Sequence, residues 1–233
     1  MNTTDKNLDG RWYFDGQLDF DRKLIYYRYK TLKPYIKGPI GLELGSAEGE
    51  MTQYLIEDFE YLTSVDGSKE LLEMIPSYKN HTKIHSFFED YKPNQKFNTI
   101  IMEHILEHVD NPIDIMIRAK EWLSDNGVMI LGVPNALSIH RLVAVKMGLL
   151  KAPNELNERD YQLGHQRVYS METFIKDIKE AGLTIIEKGG VFFKPLSNGQ
   201  IETNWNDNMI EGFYELGKDF PENAAEIFVV CKK

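Results

Sequence analysis

Cysteine is nearly absent from this chain of 233 residues. The single thiol, Cys231, excludes an internal disulfide and a thiolate-held metal cluster, and the pattern Ala225-Glu-Ile-Phe-Val-Val-Cys231 places it in a final strand. Long apolar runs are missing too, since none nears the ~18 residues of a membrane-spanning helix. Met1 to Gly10 is polar and lacks the basic, apolar, small-residue order of a secretion leader, so a soluble, cytoplasmic protein is expected. Positive charge is scarce: 27 Lys and Arg stand against 36 Asp and Glu, a net charge of −9. That balance argues against nucleic acid as a partner, because its recognition rests on cations that neutralise phosphates. Repeats and low-complexity tracts are absent, and the length suits one α/β domain with an embellishment.

The most informative stretch is Ile40-Gly-Leu-Glu-Leu-Gly-Ser-Ala-Glu-Gly-Glu50. Its apolar first half, closed by Gly45, reads as a buried strand, and Met51-Thr-Gln-Tyr-Leu-Ile-Glu57 reads as the helix that follows. Gly45 and Gly49 can take φ > 0 and carry no Cβ, with small Ala47 between them, so a ligand can approach the backbone closely. A helix N-terminus suits a phosphate. Here, however, Glu43, Glu48 and Glu50 surround the turn and favour a cation or an amine. The dinucleotide fingerprint is also incomplete: Ala47 stands in the middle and the third glycine is missing. Tyr61-Leu-Thr-Ser-Val-Asp66 reads as a second strand ending in a carboxylate, about 20 residues on, where an acid binds ribose hydroxyls.

From Ile40 to Val133 the chain resembles the class I S-adenosylmethionine-dependent methyltransferases. The resemblance implies a Rossmann-like α/β fold: a seven-stranded, mostly parallel sheet with one antiparallel strand, helices on both faces and an N-terminal helical lid. It implies that Glu43, Gly45, Ser46, Ala47 and Gly49 line the methionine part of the cofactor and that Asp66, with Gly67 and Ser68 beside it, holds the ribose. Phe87, Phe88 and Glu89 would form the adenine pocket, or else a strand end and a solvated loop. The family usually carries a further glycine where Ala47 stands. On this reading residues 1–37 form the lid and first helix, 38–133 the cofactor core, 134–170 a substrate-side insertion and 171–233 the rest of a single domain.

Phe97-Asn-Thr-Ile-Ile-Met102 reads as a fourth strand that runs into Glu103-His104-Ile-Leu-Glu107-His108-Val-Asp-Asn-Pro112. This matches the segment that follows the fourth strand in many of these methyltransferases and faces the cofactor, which adds Glu103 and His104 to the cofactor set. No metal is expected there: a zinc protease helix needs His-Glu-x-x-His, whereas these glutamates precede the histidines. A helix from Pro112 to Asn126-Gly127 and a strand Val128–Val133 follow, with Asn135 just beyond. Gly45, Asp66, Glu103 and Asn135 all fall at strand ends, where an open parallel sheet binds its ligands.

Before the glycine turn, Phe20, Leu24, Tyr27 and Leu32 mark a helix, and Trp12, Tyr13 and Phe14 precede it. Those three either pack on the domain or cover the site, with Tyr13 then on the substrate side. Leu137 to Leu150 reads as a helix and Lys151 to Gly164 as a polar connection. His165-x-Arg167-x-Tyr169 places three polar side chains on one face of an extended segment, either as an anchor for the insertion or as a substrate clamp to which His140 and Arg141 add. Gly189 to Gln200 reads as a defined loop and resembles one in methyltransferases of bacterial surface-polysaccharide (capsule) clusters.

Methyl transfer needs an aligned donor and acceptor and, for a neutral hydroxyl, a base. His104 is the first candidate for that base and His165 the second. The reading is therefore an S-adenosylmethionine-dependent O-methyltransferase of a small polar or anionic metabolite, such as a nucleotide-linked sugar or phosphoryl precursor of capsule or lipopolysaccharide. N-methylation of an amino sugar, a nicotinamide-dependent oxidoreductase and a non-catalytic cofactor-binding regulator remain as alternatives, and a homodimer is left open.

Overall fold

The structure is a computed structural model and describes residues 19–233. Trp12, Tyr13 and Phe14, and with them the expected lid, lie outside the described residues. Seven strands form one sheet in the order β3-β2-β1-β4-β5-β7-β6. They are β1 (Ile40–Leu44), β2 (Tyr61–Asp66), β3 (His81–His85), β4 (Phe97–Glu103), β5 (Leu123–Pro134), β6 (Thr184–Val191) and β7 (Glu226–Lys232). The first five pair in parallel, and β7 runs antiparallel to both its neighbours, β5 and β6. The expected sheet with one reversed strand is therefore present.

Both faces are covered because the central strands alternate apolar side chains between two cores. On β4, Ile100 and Met102 enter one core and Ile101 the other; on β7, Ile227, Val229 and Cys231 oppose Phe228 and Val230. Helices α4 (Pro112–Trp122) and α7 (Met171–Glu180) cover the first core. The second lies under α1 (Asp19–Leu32), α2 (Thr52–Leu55) and α9 (Asp207–Asp219). Local chemistry starts these helices where the sequence predicts: Asn111 accepts from Asp114 N with Pro112 following, and Ser170 accepts from Thr173 N. Cys231 is a buried core residue whose thiol burial pushes up to about 12.

Some boundaries differ from expectation. Helix α4 stops at Trp122, and β5 begins at Leu123, pairing with Phe97 before a register shift. The polar connection contains a short helix, α6 (Glu158–Gln162), made by a capping box between Asn157 and Asp160. Gly189 and Gly190 belong to β6 instead of a loop: a Cβ at Gly189 would lie 2.5 Å from the Phe228 ring, and one at Gly190 the same distance from Ala224. Beyond them another helix, α8 (Asn198–Asn204), follows the Lys194–Ser197 stretch. The remaining helices are α3 (Lys69–Met74), capped by Ser68, and α5 (Ile139–Lys146).

Two glycines of α9 separate packing from propensity. A Cβ on Gly217 would stand 2.6–2.8 Å from the backbone of Phe192, whereas nothing lies within 4 Å of one on Gly212. Gly217→Ala should destabilise the protein by ~1–3 kcal/mol through overpacking. Gly212→Ala should stabilise it by ~0.5–1 kcal/mol. Urea unfolding midpoints moving in opposite directions would verify both.

Candidate functional site

The carboxyl ends of the parallel strands open into one cleft of about 1160 Å³. One end of it is the glycine turn. Gly45 (φ +78°) and Gly49 (φ +90°) take the expected left-handed conformation, and so does Ala47 (φ +44°), which explains the preference for glycine there. Space is tight at Gly45, where a Cβ would sit 2.1 Å from Ile105 Cγ2. Asp66 fixes the turn by accepting from Ala47 N at 2.9 Å and from Ser68 N at 2.8 Å. Burial raises its carboxyl, against those two backbone donors. Glu48 is pushed up to about 7, mainly by burial and further by Glu50 and Asp66.

Glu43 sits beneath the turn with its Oε2 accepting from Thr52 Oγ1 and Ser64 Oγ, both at 2.7 Å, so one face of the carboxyl organises the start of α2. Phe87 and Phe88 line the cleft with Glu89; Phe87 is exposed and its ring flanks Gly67, while Phe88 is half-buried.

At the end of β4, Glu103 and His104 enter a buried ionic cluster. Arg28 of α1 donates through Nε to Glu226 Oε2 at 2.8 Å and through Nη2 to Glu226 Oε1, and its Nε lies 3.5 Å from Glu103 Oε2. His104, in a left-handed conformation (φ +55°), holds Nδ1 3.4 Å from Glu107 Oε1 and Nε2 3.2 Å from Glu226 Oε1. Both of its nitrogens therefore face carboxylates of the chain, which disfavours the first-choice base. Burial pushes Glu103 up to about 8 against the attraction of Arg28. Burial acts the same way on Glu226, but Arg28 and His104 outweigh it and hold that carboxyl well below the usual range.

Residues 140–166 build another wall of the cleft. Arg141 is buried and spans it, donating to Pro153 O at 2.9 Å, to Asp160 Oδ2 at 3.0 Å and to Glu155 O. Asp160 also meets His165 Nδ1 at 3.2 Å. Burial alone would raise the Asp160 carboxyl, yet His165, Asn157 and Arg141 bring it down to about 2. His140 lines the cleft, and burial pushes it down to about 3.

The clamp expected from His165, Arg167 and Tyr169 is not assembled. Only His165 reaches the cleft. Arg167 turns away and donates to the carbonyls of Leu106 (2.8 Å), Val109 (2.5 Å) and Asp110 (3.2 Å), pinning the turn after β4. The Tyr169 hydroxyl donates to Asp177 at 3.0 Å. Asn135 lines the cleft, but its amide is committed to Glu222 O, Ala224 O and Leu137 N. Alternation in an extended segment gave the three side chains one face, but carbonyls of the neighbouring turn claim the second and a helix side chain the third.

Among the cleft residues that sequence reasoning missed are Arg28, Lys194, Asn198 and Glu226. Lys194 Nζ donates to Asn198 Oδ1 at 2.7 Å, Asn198 Nδ2 donates to Asp21 Oδ1 at 2.5 Å, and Asp21 Oδ2 meets Arg159 Nη2 at 3.2 Å. Burial pushes the Lys194 ammonium down to about 8, opposed by Asp21. Lys194, Ser197 and Asn198, set around Pro195 and Leu196, were a visible polar signal, but nothing local assigned them to this wall.

The residues present fit S-adenosylmethionine. Ser46 Oγ and Glu103 Oε1 are buried without a hydrogen-bond partner among the described residues, and both residues line the cleft. Orphaned polar atoms of this kind require a partner, and an amino-acid tail with a sugar supplies several.

Titration of Glu43 is a test of how this end is built. Burial pushes it up to about 7 from 4.5 despite donors Ser64 and Thr52, so the native state holds a proton that the unfolded chain releases. Its stabilising contribution is fully present below 4.5 and lost as pH rises to about 7. Glu43→Gln keeps the acceptor and removes the titration. Relative to wild type, the variant should gain stability in urea across that window, and a pH-independent difference would contradict the assignment.

Residues 21–188 match the family described as a methyltransferase domain. Comparison with curated proteins finds no match. Among solved structures, the chain is similar to an S-adenosylmethionine-dependent methyltransferase from Archaeoglobus fulgidus, with a TM-score of 0.65, 18% identity, and 97% of this chain and 100% of that chain covered. It is similar to another from Mesorhizobium loti, with a TM-score of 0.65, 12% identity and coverages of 89% and 98%. A third is the N-methyltransferase NodS from Bradyrhizobium japonicum in complex with S-adenosylhomocysteine, at a TM-score of 0.57, 16% identity and coverages of 97% and 92%. At these identities the likeness speaks for the fold. With the family matched from α1 to β6 and the cleft built at the strand ends that such a fold uses, the chain belongs to the methyltransferase domain family.

Proposed function

We propose that the chain transfers a methyl group from S-adenosylmethionine to an oxygen of a small acceptor that carries an acidic group, such as a nucleotide-linked sugar or a phosphoryl precursor of a bacterial surface polysaccharide. The observation that carries the reading is the sorting of charge along the cleft. Glu43, Glu48, Asp66 and Glu103 gather at one end, and Lys194, Arg159 and Arg141 at the other, where Asp21 and Asp160 pair with the two arginines while Lys194 donates to the neutral Asn198. When bound, S-adenosylmethionine supplies an electrophilic methyl on a positively charged sulfur, together with an ammonium group.

The carboxyl-rich end receives those positive charges, which favour ionisation of carboxyls that burial has raised, and Asp66 has lone pairs left for the ribose hydroxyls. The acceptor's anion meets Lys194, whose ammonium is already oriented by Asn198. Its hydroxyl meets the lone pair of His165 Nε2 or an ion held on it, since that nitrogen has no partner among the described residues. Orientation of donor and acceptor across such a cleft can supply ~7–11 kcal/mol of the barrier. The Gly189–Gln200 segment that resembles those of surface-polysaccharide enzymes contributes Lys194 and Asn198 to this wall, which supports the acceptor class.

The test is incubation of the purified protein with methyl-labelled S-adenosylmethionine and a pool of nucleotide sugars, with products read by mass spectrometry. A labelled ether on a phosphorylated sugar is expected, a labelled amine would convert the reading to N-methylation, and donor binding without any labelled product would refute catalysis on this class. Lys194→Met should raise the acceptor KM about 10- to 100-fold while leaving donor affinity intact, given ~1.5–3 kcal/mol for a charge-assisted hydrogen bond. In the wild type that KM should climb as pH passes about 8, where Lys194 loses its charge, and in the variant the climb should vanish.

A further inference from the structure

The turn after β4 and the segment after α6 bring Glu107, His108 and His165 together, one ligand-type atom of each lying within 4.8 Å of the others. Glu107 is fully buried; His104 Nδ1 stands 3.4 Å from its Oε1, but neither carboxylate oxygen makes a hydrogen bond among the described residues. A carboxyl withdrawn from water without partners is costly, so such groups are protonated, paired or metal-bound. His165 has a complementary arrangement: Nε2 is buried and unpartnered, while Nδ1 stands 3.2 Å from Asp160 Oδ1. A metal-ligating histidine is held in this way, with one nitrogen donating to a carboxylate so that the other turns its lone pair to the ion. Asp160 is anchored in turn by Arg141 at 3.0 Å. The His108 ring stands edge-on to His165 with centroids 4.7 Å apart, and both residues line the cleft.

We propose that Glu107, His108 and His165 bind a divalent transition-metal ion at the acceptor end of the cleft. This departs from the expectation that the Glu-His-x-Leu-Glu-His segment is metal-free. The His-Glu-x-x-His template takes all its signals from one helix, whereas here adjacent residues of a turn join a histidine from a later segment. Two imidazoles and one carboxylate suit Zn²⁺, Co²⁺, Fe²⁺ or Mn²⁺ and leave positions open on the ion. What fills those positions rests on the methyl-transfer reading: the acceptor hydroxyl would bind there and lose its proton to solvent more easily. His165 then holds the ion and does not itself take the proton.

Tag-free protein stripped of metal, equilibrated with Co²⁺ or Zn²⁺ and gel-filtered should retain one ion per chain by elemental analysis. Loaded instead with Cu²⁺, the wild type should give pulsed EPR couplings from two imidazole nitrogens, a readout that needs no variant to fold. His108→Ala, His165→Ala and Glu107→Gln should each lose the retained ion, and Asp160→Asn should weaken binding ~10–100-fold. Calorimetric binding of S-adenosylmethionine by each variant reports that it is folded. The proposal is overturned if the folded wild type retains no ion, if the imidazole couplings are missing, or if the folded variants retain as much as the wild type. Donor binding and ion retention are read separately, so loss of one leaves the other reading standing.

Discussion

A guanidinium buried against carboxylates from two strands governs the architecture of the cleft. Arg28 reaches from α1 to Glu226 at the start of β7 and to Glu103 at the end of β4. Removing three charges from water is expensive, and only the close geometry and the further contact of Glu226 with His104 compensate for it. Taking away one member of such a buried set costs ~3–5 kcal/mol, because the others are left unpaired. The arrangement therefore holds α1 across the strand ends and turns a sheet edge into an enclosed site.

That cluster also separates two electrostatic environments. On one side the glycine turn, Asp66 and Glu48 gather carboxyls that burial holds above their usual range; on the other stand Lys194 and the ion pairs of Arg159 with Asp21 and of Arg141 with Asp160. Several of these groups are pushed away from their ordinary titration ranges, chiefly by burial. A cleft sorted in this way orients a dipolar pair of ligands before any specific contact forms. Its acidic end disfavours a pyrophosphate, in keeping with the incomplete dinucleotide fingerprint and against a nicotinamide cofactor.

The glycine-turn end of the cleft was legible in the sequence because its signals are local. Gly45, Ala47 and Gly49 sit within one turn, Asp66 closes the next strand, and Ser68, Asn111 and Ser170 cap the helices that follow. The rest of the cleft was not, because pairing across the chain decides it. Arg28 looks like any cation on an amphipathic helix until Glu226 meets it 198 residues away. Arg167 presented a free guanidinium to the imagination, yet the carbonyls of residues 106, 109 and 110 take it. Lys194 was hidden in what read as a loop, and the short α6 that sets Asp160 is defined by one capping box.

The reversed strand has a consequence for how the cleft comes into being during synthesis. Every other strand delivers its site residue at its end, but β7 runs the opposite way and delivers Glu226 at its beginning. It is also the last of the seven to leave the ribosome. Until it does, Arg28 and His104 have no anion from that side, and β5 and β6 have no strand between them. Closure of the sheet and neutralisation of the buried cluster are therefore one event, since the strand that fills the gap between β5 and β6 also brings the carboxylate that Arg28 and His104 meet.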